Sequence, residues 1–300
     1  MISLIVHGGA WDIPDSLVEA HRAGCASALA LGWALLERGG SAVDAVEQVV
    51  RHLEDSAAFD AGHGSHLNAL GQVELDASIM NGKSLRCGAV AAVHCIRNPV
   101  SLARKIMEES EHILLVGEGA ERFGSEHGIP LCDPRELIAP REEALWRSVQ
   151  LDDQYTSKNA FRANGGDTVG AVALDRDGTI CVATSTGGTL NKYPGRVGDS
   201  PLIGCGSYAD NAIGGVSTTG WGEAMIKVVM AKSVIDIMEA NGGNAQAAAD
   251  RGIELLKRKV DGDGGVIVLN ARGEYGVAFN TPRMARAYMT SGMRVPFVAA

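Results

Sequence analysis

The chain changes character abruptly in front of Thr168. Residues 130–167 carry paired charges, polar residues and the dipeptides Asp-Pro and Ala-Pro, and they include Asn-Gly-Gly at 164–166. This composition is typical of a flexible linker. Two strand-like runs follow at once, at 168–174 and 179–186, and the sequence Asp-Arg-Asp-Gly between them is a strong hairpin signal. The sequence therefore predicts that a sheet begins directly after a linker.

Hydrophobic periodicity predicts the remaining elements in the order strand, two helices, strands, helices, linker, strands, two helices and strands. The first strand, at 2–6, runs into a tight loop of His7-Gly8-Gly9-Ala10, and the second helix opens with the capping-box-like Ser41-x-x-Asp44. Helices are expected at 17–37, 41–53, 100–109, 118–123, 221–240 and 245–260, and further strands at 73–80, 87–96, 202–209, 214–218, 265–270 and 275–279. Runs of strands alternating with helix pairs favour layered α/β/β/α packing over a doubly wound parallel sheet.

Bulk composition excludes several classes of function. A chain of 300 residues with 46% hydrophobic and 21% charged residues is expected to be a globular protein and not a disordered one. Its net charge of −9 offers no attraction to nucleic acid or to an acidic membrane surface, so a small-molecule substrate is the better expectation. Six separated cysteines, mostly in apolar runs, indicate reduced thiols, and no signal peptide or membrane span is recognisable. We expect a cytoplasmic protein.

Five blocks of sequence carry a resemblance to a known family. They are His7-Gly8-Gly9-Ala10, Glu74-Leu75-Asp76-Ala77-Ser78, Gly166-Asp167-Thr168-Val169-Gly170, Gly195-Arg196-Val197-Gly198-Asp199-Ser200-Pro201 and Ser217-Thr218-Thr219-Gly220-Trp221-Gly222-Glu223. Together they resemble the plant-type L-asparaginase and isoaspartyl peptidase family of N-terminal nucleophile hydrolases. The resemblance spans nearly the whole chain. It implies a mixed α/β (α+β) fold, a four-layer αββα sandwich.

The resemblance also implies that the chain cuts itself between Asp167 and Thr168. Residues 1–167 would become an α subunit that ends in the linker, and residues 168–300 a β subunit that starts with threonine; together they form one structural domain. The implied activity releases L-aspartate from L-asparagine and from β-aspartyl (isoaspartyl) dipeptides through a covalent acyl-enzyme. It requires no cofactor, and the implied assembly is a dimer of processed α/β units.

The chemistry of Thr168 fits this interpretation. A threonine hydroxyl is a weak nucleophile that needs a nearby base, and a threonine at a new N-terminus can use its own α-amine. That amine titrates near pH 7.7–8.0 in model peptides, so part of it is unprotonated at neutral pH. All eight histidines lie at or before His127, so none follows Thr168, and this weakens the alternative of a hydrolase with a Ser/His/Asp catalytic triad. Standing alone, Thr168 would be read as an ordinary β-branched strand residue. Thr186 resembles the second threonine of the family, which orients the nucleophile.

Arg196 and Asp199 are the candidate residues for binding the amino-acid head group. An arginine fork can hold an α-carboxylate through two parallel hydrogen bonds, and a carboxylate can pair with the α-ammonium. The alternative without a function is that Arg196 and Asp199 form a surface ion pair at i,i+3, which contributes little to the stability of a protein. The resemblance assigns the binding roles to both residues.

Thr219 and Gly220 are the candidate oxyanion residues. Hydrolysis of an amide develops negative charge on its carbonyl oxygen, and a preorganised hydroxyl and backbone N–H stabilise that charge. Gly220 also permits close approach of the backbone to a ligand. Alternatively, Thr219 caps the helix that starts near Trp221, and both interpretations can hold together.

Two further features follow from the resemblance. The family binds a structural sodium ion through backbone oxygens, which map onto Leu53, Glu54, Ser56, Phe59, Ala61 and His63; carbonyl ligands leave no side-chain signature. The family motif Phe-Asn-Ala-Gly reads Phe59-Asp60-Ala61-Gly62 in this chain. An ionised Asp60 can only accept hydrogen bonds, whereas the amide of asparagine can also donate them. The rate and the pH optimum are therefore expected to depend on Asp60. His63 and His66 lack a third ligand pattern, so a zinc site is not expected.

Two alternative functions remain open at this stage. Glycosylasparaginase shares the Gly-Arg-Val-Gly-Asp-Ser-Pro block, but the chain shows no signal peptide and has a different form of the 218–223 block. The other alternative is an unprocessed, non-enzymatic protein that binds amino acids. Such a protein would have no need of the nucleophile Thr168.

Overall fold

The computed structural model describes residues 1–152, 154–156 and 168–300. The strands are β1 (Ser3–Trp11), β2 (Leu75–Asn81), β3 (Cys87–Val93), β4 (Leu114–Val116), β5 (Val169–Leu174), β6 (Ile180–Thr186), β7 (Ser207–Asp210), β8 (Gly214–Gly220), β9 (Gly264–Asn270), β10 (Tyr275–Phe279), β11 (Arg283–Thr290) and β12 (Phe297–Ala299). The helices are α1 (Asp15–Glu37), α2 (Ala42–Glu54), α3 (Pro99–Glu109), α4 (Gly117–Glu126), α5 (Pro140–Val149), α6 (Gly222–Val228), α7 (Met230–Ala240) and α8 (Ala245–Val260). A short 3-10 helix covers Pro134–Leu137.

The strands form two sheets. The larger has eight strands in the order β12-β11-β1-β5-β6-β2-β3-β4, and the smaller has four in the order β10-β9-β8-β7. Neighbouring strands are antiparallel except for β3 and β4. Strands β5 and β6 lie at the centre of the larger sheet, so the hairpin that follows Thr168 is built into the middle of the fold.

Side-chain alternation along the strands creates four layers. On β5, Val169 and Ala171 belong to the core that α1, α2 and α3 cover, whereas Val172 faces the second sheet. On β9, Val268 faces the core under α6, α7 and α8, and Ile267 faces the first sheet. The layers are therefore helices, sheet, sheet and helices, which confirms the predicted αββα sandwich. In the described residues no helix is long and apolar enough to cross a membrane.

Local signals in the sequence account for several elements. The backbone N–H of Asp44 donates to Ser41 Oγ at 3.1 Å, which confirms the predicted cap of α2. The turn between β5 and β6 closes as predicted, with Asp175 N–H donating to the Thr179 carbonyl at 3.0 Å. Both devices are local, so the sequence pattern was sufficient to predict them.

Other elements differ from expectation because tertiary contacts override the local pattern. The predicted glycine loop after residue 6 is part of β1, which continues to Trp11 through a bulge where Gly9 has a φ of +96°. The single helix predicted at 221–240 is two helices that meet at Val229, which has a φ of +49°. The carbonyls of Gly204 and Cys205 accept the N–H groups of Lys232 and Ala231 at the start of α7, which fixes this break.

Part of the predicted linker is helical. Helix α5 has Pro140 in its first turn, acidic residues beside it and Arg147 in its last turn, all favourable positions. Its buried Glu142 bonds His66 Nδ1 at 2.5 Å, and Trp146 lies against Gly71. Regular structure therefore extends to residue 149 within the stretch that was expected to be a flexible linker. The cut expected after residue 167 falls at the end of 157–167, a stretch outside the described residues.

Candidate active site

Thr168 stands one residue before β5, opposite Thr186 at the end of β6. The register of the two strands pairs Val169 with Ser185, so the next pair outward is Thr168 and Thr186. Paired residues in a sheet project from the same face, and here the Thr168 Oγ1–H donates to Thr186 Oγ1 at 3.3 Å. Both threonines are nearly buried. The hairpin thus brings the candidate nucleophile and its candidate orienting residue together.

Thr186 is itself fixed by the turn that follows β6. Its Oγ1 accepts the backbone N–H of Gly188 at 2.9 Å. Gly188 has a φ of +81°, a conformation that favours glycine. The hydroxyl that faces Thr168 is therefore held in place by the backbone.

A small cavity joins most of the predicted site residues. It is lined by Thr168, Thr186, Gly188, Thr189, Arg196, Gly198, Asp199, Gly220 and Gly222. Five of these had been predicted from the sequence, and the four others, Gly188, Thr189, Gly198 and Gly222, had not. Larger clefts exist on the surface, between α7 and α8 and beside α3, but they contain none of the predicted residues.

Arg196 makes a bidentate ion pair with Glu223, a residue to which the sequence analysis had given no role. Its Nε–H and Nη2–H donate to the two carboxylate oxygens of Glu223 at 2.9 and 2.8 Å. A guanidinium has a second fork, formed by Nη1 and Nη2. Nη1 lies against Gly188 and Gly198, two residues that line the cavity. The second fork therefore faces the cavity.

Asp199 lies beside Arg196, with Gly222 packed against both side chains. One of its oxygens accepts the hydroxyl proton of Thr218 at 2.7 Å. Burial raises the pKa of the Asp199 carboxyl to about 6, although Thr218 and Arg196 oppose the shift. At neutral pH the group is still mainly ionised, so it can pair with a cation.

Thr219 and Gly220 lie at the end of β8. Gly220 lines the cavity and has a φ of +146°, while Thr219 is fully buried behind it. Thr219 Oγ1 accepts the N–H of Ala10 at 3.3 Å, so its own proton remains available for donation. The N-cap residue of α6 is Trp221, and no side-chain cap bond is made there, so Thr219 does not act as the helix cap.

Asp60 is buried behind the cavity and does not line it. Its Oδ1 accepts the N–H of His66 at 2.8 Å, and its backbone carbonyl accepts the N–H of Gly187 at 2.9 Å. The Gly187 backbone packs against the Asp60 carboxylate. Asp60 therefore contacts the turn after β6 at Gly187. The residues on either side of Gly187 are Thr186 and Gly188, which are joined by the hydrogen bond described above.

His7 lies next to the nucleophile, and no role was predicted for it. Burial lowers the pKa of His7 to about 3, against the opposing effect of the nearby Thr168 backbone. Its Nε2 is 2.8 Å from Ser217 Oγ, which in turn is 2.8 Å from Thr184 Oγ1. At neutral pH the ring is neutral, and it ties β1 to β8 below Thr168.

The predicted sodium ligands lie in a loop that closes on itself after α2. The carbonyls of Leu53, Glu54 and Ser56 each accept a backbone N–H, and the bond from His63 N–H to the Glu54 carbonyl, at 2.7 Å, closes the loop. The carbonyl oxygens of Glu54 and Ser56 each keep a second lone pair, whereas that of Leu53 accepts the N–H groups of both Asp55 and Ser56. Within the described part of the chain, no backbone N–H donates to the carbonyls of Phe59, Ala61 and His63. The acceptors present thus fit a hard cation bound by oxygen. No group of three or more His, Cys, Asp or Glu residues that could hold a metal ion occurs among the described residues.

The chemistry available in this cavity is specific. One wall offers a hydroxyl nucleophile, another an arginine fork next to a carboxylate, and a third the glycine end of a strand. A zwitterionic amino-acid head group complements the fork and carboxylate, and an amide carbonyl attached to it would lie near the hydroxyl.

Comparison with known proteins places the chain among hydrolases. The profile of a family described as Asparaginase matches residues 1–297. The isoaspartyl peptidase/L-asparaginase of Xenopus laevis is 44% identical over 284 residues, covering 95% of this chain and 91% of its own. The proteins of the same name from Bos taurus and Homo sapiens are 45% and 43% identical over 290 residues, covering 96% of this chain and 93% of their own.

Proposed function

This chain belongs to the asparaginase family, and from that premise we propose that it releases L-aspartate from L-asparagine and from β-aspartyl dipeptides. The observation that carries the proposal is that Thr168, Arg196 and Asp199 line one cavity. The relatives named isoaspartyl peptidase/L-asparaginase support the same substrates. The substrates proposed are small-molecule amides of L-aspartate.

Activation begins with a cut in the backbone before Thr168. The Thr168 hydroxyl attacks the carbonyl carbon of Asp167, the C–N bond breaks, and the acyl group moves to oxygen as an ester. Water then opens the ester, which leaves a carboxylate at Asp167 and a free α-amine and hydroxyl at Thr168. This step yields subunits of residues 1–167 and 168–300. They stay together because β1 pairs with β5 and β11, so strands from both sides of the cut share one sheet.

Catalysis then uses the new amine as the base. The amine takes the proton of the Thr168 hydroxyl as its oxygen attacks the side-chain carbonyl of the substrate. Thr186 orients that hydroxyl, and the Thr219 hydroxyl with the Gly220 N–H stabilises the oxyanion. Ammonia or an amino acid leaves with a proton, and water attacks the resulting acyl-enzyme to release L-aspartate.

The head group of the substrate is held by charge. The α-carboxylate accepts from the Nη1 and Nη2 fork of Arg196, and the α-ammonium donates to Asp199. Glu223 occupies the other side of the guanidinium and therefore positions the fork without blocking it.

A sodium ion, bound by the carbonyls of Leu53, Glu54, Ser56, Phe59, Ala61 and His63, completes the proposal. It would stabilise the loop that carries Asp60 and takes no part in the reaction. The proposed assembly is a dimer of processed units in the cytoplasm. All six cysteines are free thiols, which suits a reducing compartment.

The test combines mass spectrometry with product analysis. The wild-type chain should give two fragments of 167 and 133 residues, about 17 and 14 kDa of the 31.3 kDa chain, and should release aspartate from both substrates. Thr168→Ala should remain one inactive chain, while the matched control Thr179→Ala should be cut and active. Full activity from an uncut chain, or a cut elsewhere, overturns the mechanism. Release of aspartate only from glycosylated asparagine would favour glycosylasparaginase, and bound amino acid without turnover would favour a binding protein.

A further inference from the structure

Lys192 is a buried lysine that the proposed reaction does not use. It is among the largest fully buried side chains, with 1% of its surface exposed, and its Nζ donates to the Glu74 carbonyl at 2.9 Å. Lysine is almost never fully buried unless its charge is paired. The backbone on either side is also fixed, because the Lys192 carbonyl accepts the N–H of Ala69 at 2.9 Å. A positive charge buried in this way requires negative charges nearby.

Carboxylates at the start of β2 act on the charge of Lys192. Burial lowers the pKa of Lys192, while the charges of Asp76 and Glu74, and more weakly Asp60, act in the opposite direction. Asp76 pairs with Thr186 in the register of β2 and β6, so its carboxylate projects from the sheet face that carries both threonines. Arg196 is a second cation that Asp76 faces, but Glu223 already binds it. Lys192 is therefore the cation whose charge acts most strongly on Asp76.

The ammonium also lies close to the nucleophile. Two hydrogen bonds connect Thr168 to Gly188, the first to Thr186 Oγ1 at 3.3 Å and the second from the Gly188 N–H at 2.9 Å. A Cβ atom on Gly188 would lie 3.1 Å from Lys192 Nζ. The charge of Lys192 thus acts through a water-poor interior on the position of the Thr168 α-amine.

The charges around this amine have opposing effects. Asp60 and Asp76 lie behind Thr186, Glu74 lies next to Lys192, and Asp199 lines the cavity across from Thr168. These anionic groups favour the protonated, inactive amine, whereas Arg196 and Lys192 favour the free base. Glu223 offsets Arg196, and His7 below Thr168 is neutral. Loss of Lys192 would remove the cation that acts most strongly on Asp76.

We propose that Lys192 is a positioning residue for the nucleophile, whose buried ammonium offsets the nearby carboxylates and so keeps the Thr168 α-amine unprotonated at neutral pH. This inference rests on the proposed function, because it requires the amine that the cut releases. It adds a residue outside the cavity lining to the groups that set the rate. A purely structural lysine would contribute to folding and leave the ionisation of the amine unchanged.

The test is the pH dependence of kcat in the processed enzyme, with kcat referred to the fraction of chains cut before Thr168. Substrate bound at saturation holds Asp199 ionised, so the fall of kcat at low pH (the acid limb of the profile) reports protonation of the Thr168 α-amine. Lys192→Met should move this limb to higher pH by about one unit, the effect of a unit charge roughly 10 Å away at an effective dielectric constant near 20. Lys192→Arg, which keeps the charge, should restore the limb to within a few tenths of a unit. The exposed Lys83→Met serves as the matched control and should not shift it.

A second variant decides the matter if Lys192→Met does not fold. Asp76→Asn removes one carboxylate, keeps an oxygen acceptor for the N–H of Ala92, and should move the acid limb to lower pH. Variants that lose kcat or melting temperature without the two opposite shifts overturn the inference while leaving the hydrolase proposal intact. A wild-type chain that is active but uncut overturns the hydrolase mechanism itself and, with it, any role for the amine.

Discussion

Arg196 and Glu223 are joined by two parallel hydrogen bonds, and this pair sets the direction in which the second fork of the guanidinium points. Nε and Nη2 of Arg196 donate to Glu223, and Nη1 lies against Gly188 and Gly198, which line the cavity. The Glu223 side chain keeps 40% of its surface exposed, whereas that of Arg196 keeps 16%. The carboxylate thus holds the guanidinium from the outer side, and the inner side of the guanidinium faces the cavity.

Replacing Glu223 with Gln tests this geometry. The amide oxygen can accept only part of the fork, so the guanidinium should lose its fixed direction and KM should rise by about tenfold with little change in kcat. Steady-state kinetics with L-asparagine measures both parameters. Glu239→Gln, at an exposed position on α7, is the matched control and should leave KM unchanged. A fall in KM would show instead that Glu223 competes with the substrate carboxylate.

The pH dependence of substrate binding should report Asp199. Burial raises the pKa of this carboxyl to about 6, so it is ionised above that pH and gains a proton below it. Only the ionised form pairs with the α-ammonium of the substrate, so below pH 6 kcat/KM should fall more steeply than protonation of the Thr168 amine alone accounts for, by up to about a further tenfold for each pH unit. A profile of kcat/KM from pH 4.5 to 8 would show this limb. If kcat/KM stays level down to pH 5, Asp199 does not bind the ammonium as an anion.

The sequence predicted the centre of this site better than its surroundings. The family resemblance had linked Thr186 to Thr168, and the structure shows that the predicted hairpin is what places the two residues opposite each other. Arg196 and Asp199 came from a sequence block whose order is recognisable without coordinates. Their roles remain predictions, as do the cut after Asp167 and the sodium ion.

The missed features depend on contacts between distant parts of the chain. Glu223 is 27 positions from Arg196 and, although it ends the block at 217–223, nothing in that block indicates that its side chain pairs with Arg196. Strand β11 was not predicted because Arg283 and Arg286 interrupt its apolar pattern. Arg286 stacks over Phe279 and Phe297, at 5.2 and 5.6 Å from their ring centroids, and only the assembled sheet makes that position favourable.

Asp60→Asn is expected to preserve turnover at neutral pH or raise it by a few-fold. The amide oxygen can keep the bond from the His66 N–H, which Asp60 Oδ1 accepts at 2.8 Å. The change removes a buried negative charge near Lys192, and a less negative interior favours the free amine at Thr168. Measurements of kcat at pH 7 and of cleavage rate, with the exposed Asp177→Asn as control, test this expectation. A loss of a hundredfold or more would mean that this enzyme uses the carboxylate itself.

Thr186→Val should separate orientation of the nucleophile from substrate binding. Valine keeps the size and the β-branch, but it removes the oxygen that accepts from both Thr168 at 3.3 Å and Gly188 at 2.9 Å. The free Thr168 hydroxyl can then adopt other rotamers, so self-cleavage and kcat should each slow by about ten- to a hundredfold. KM should change little, since Arg196 and Asp199 remain. Thr189→Val, a change at another cavity-lining threonine that makes no bond to Thr168, is the matched control. If KM rises while kcat holds, Thr186 contacts the substrate and does not orient the nucleophile.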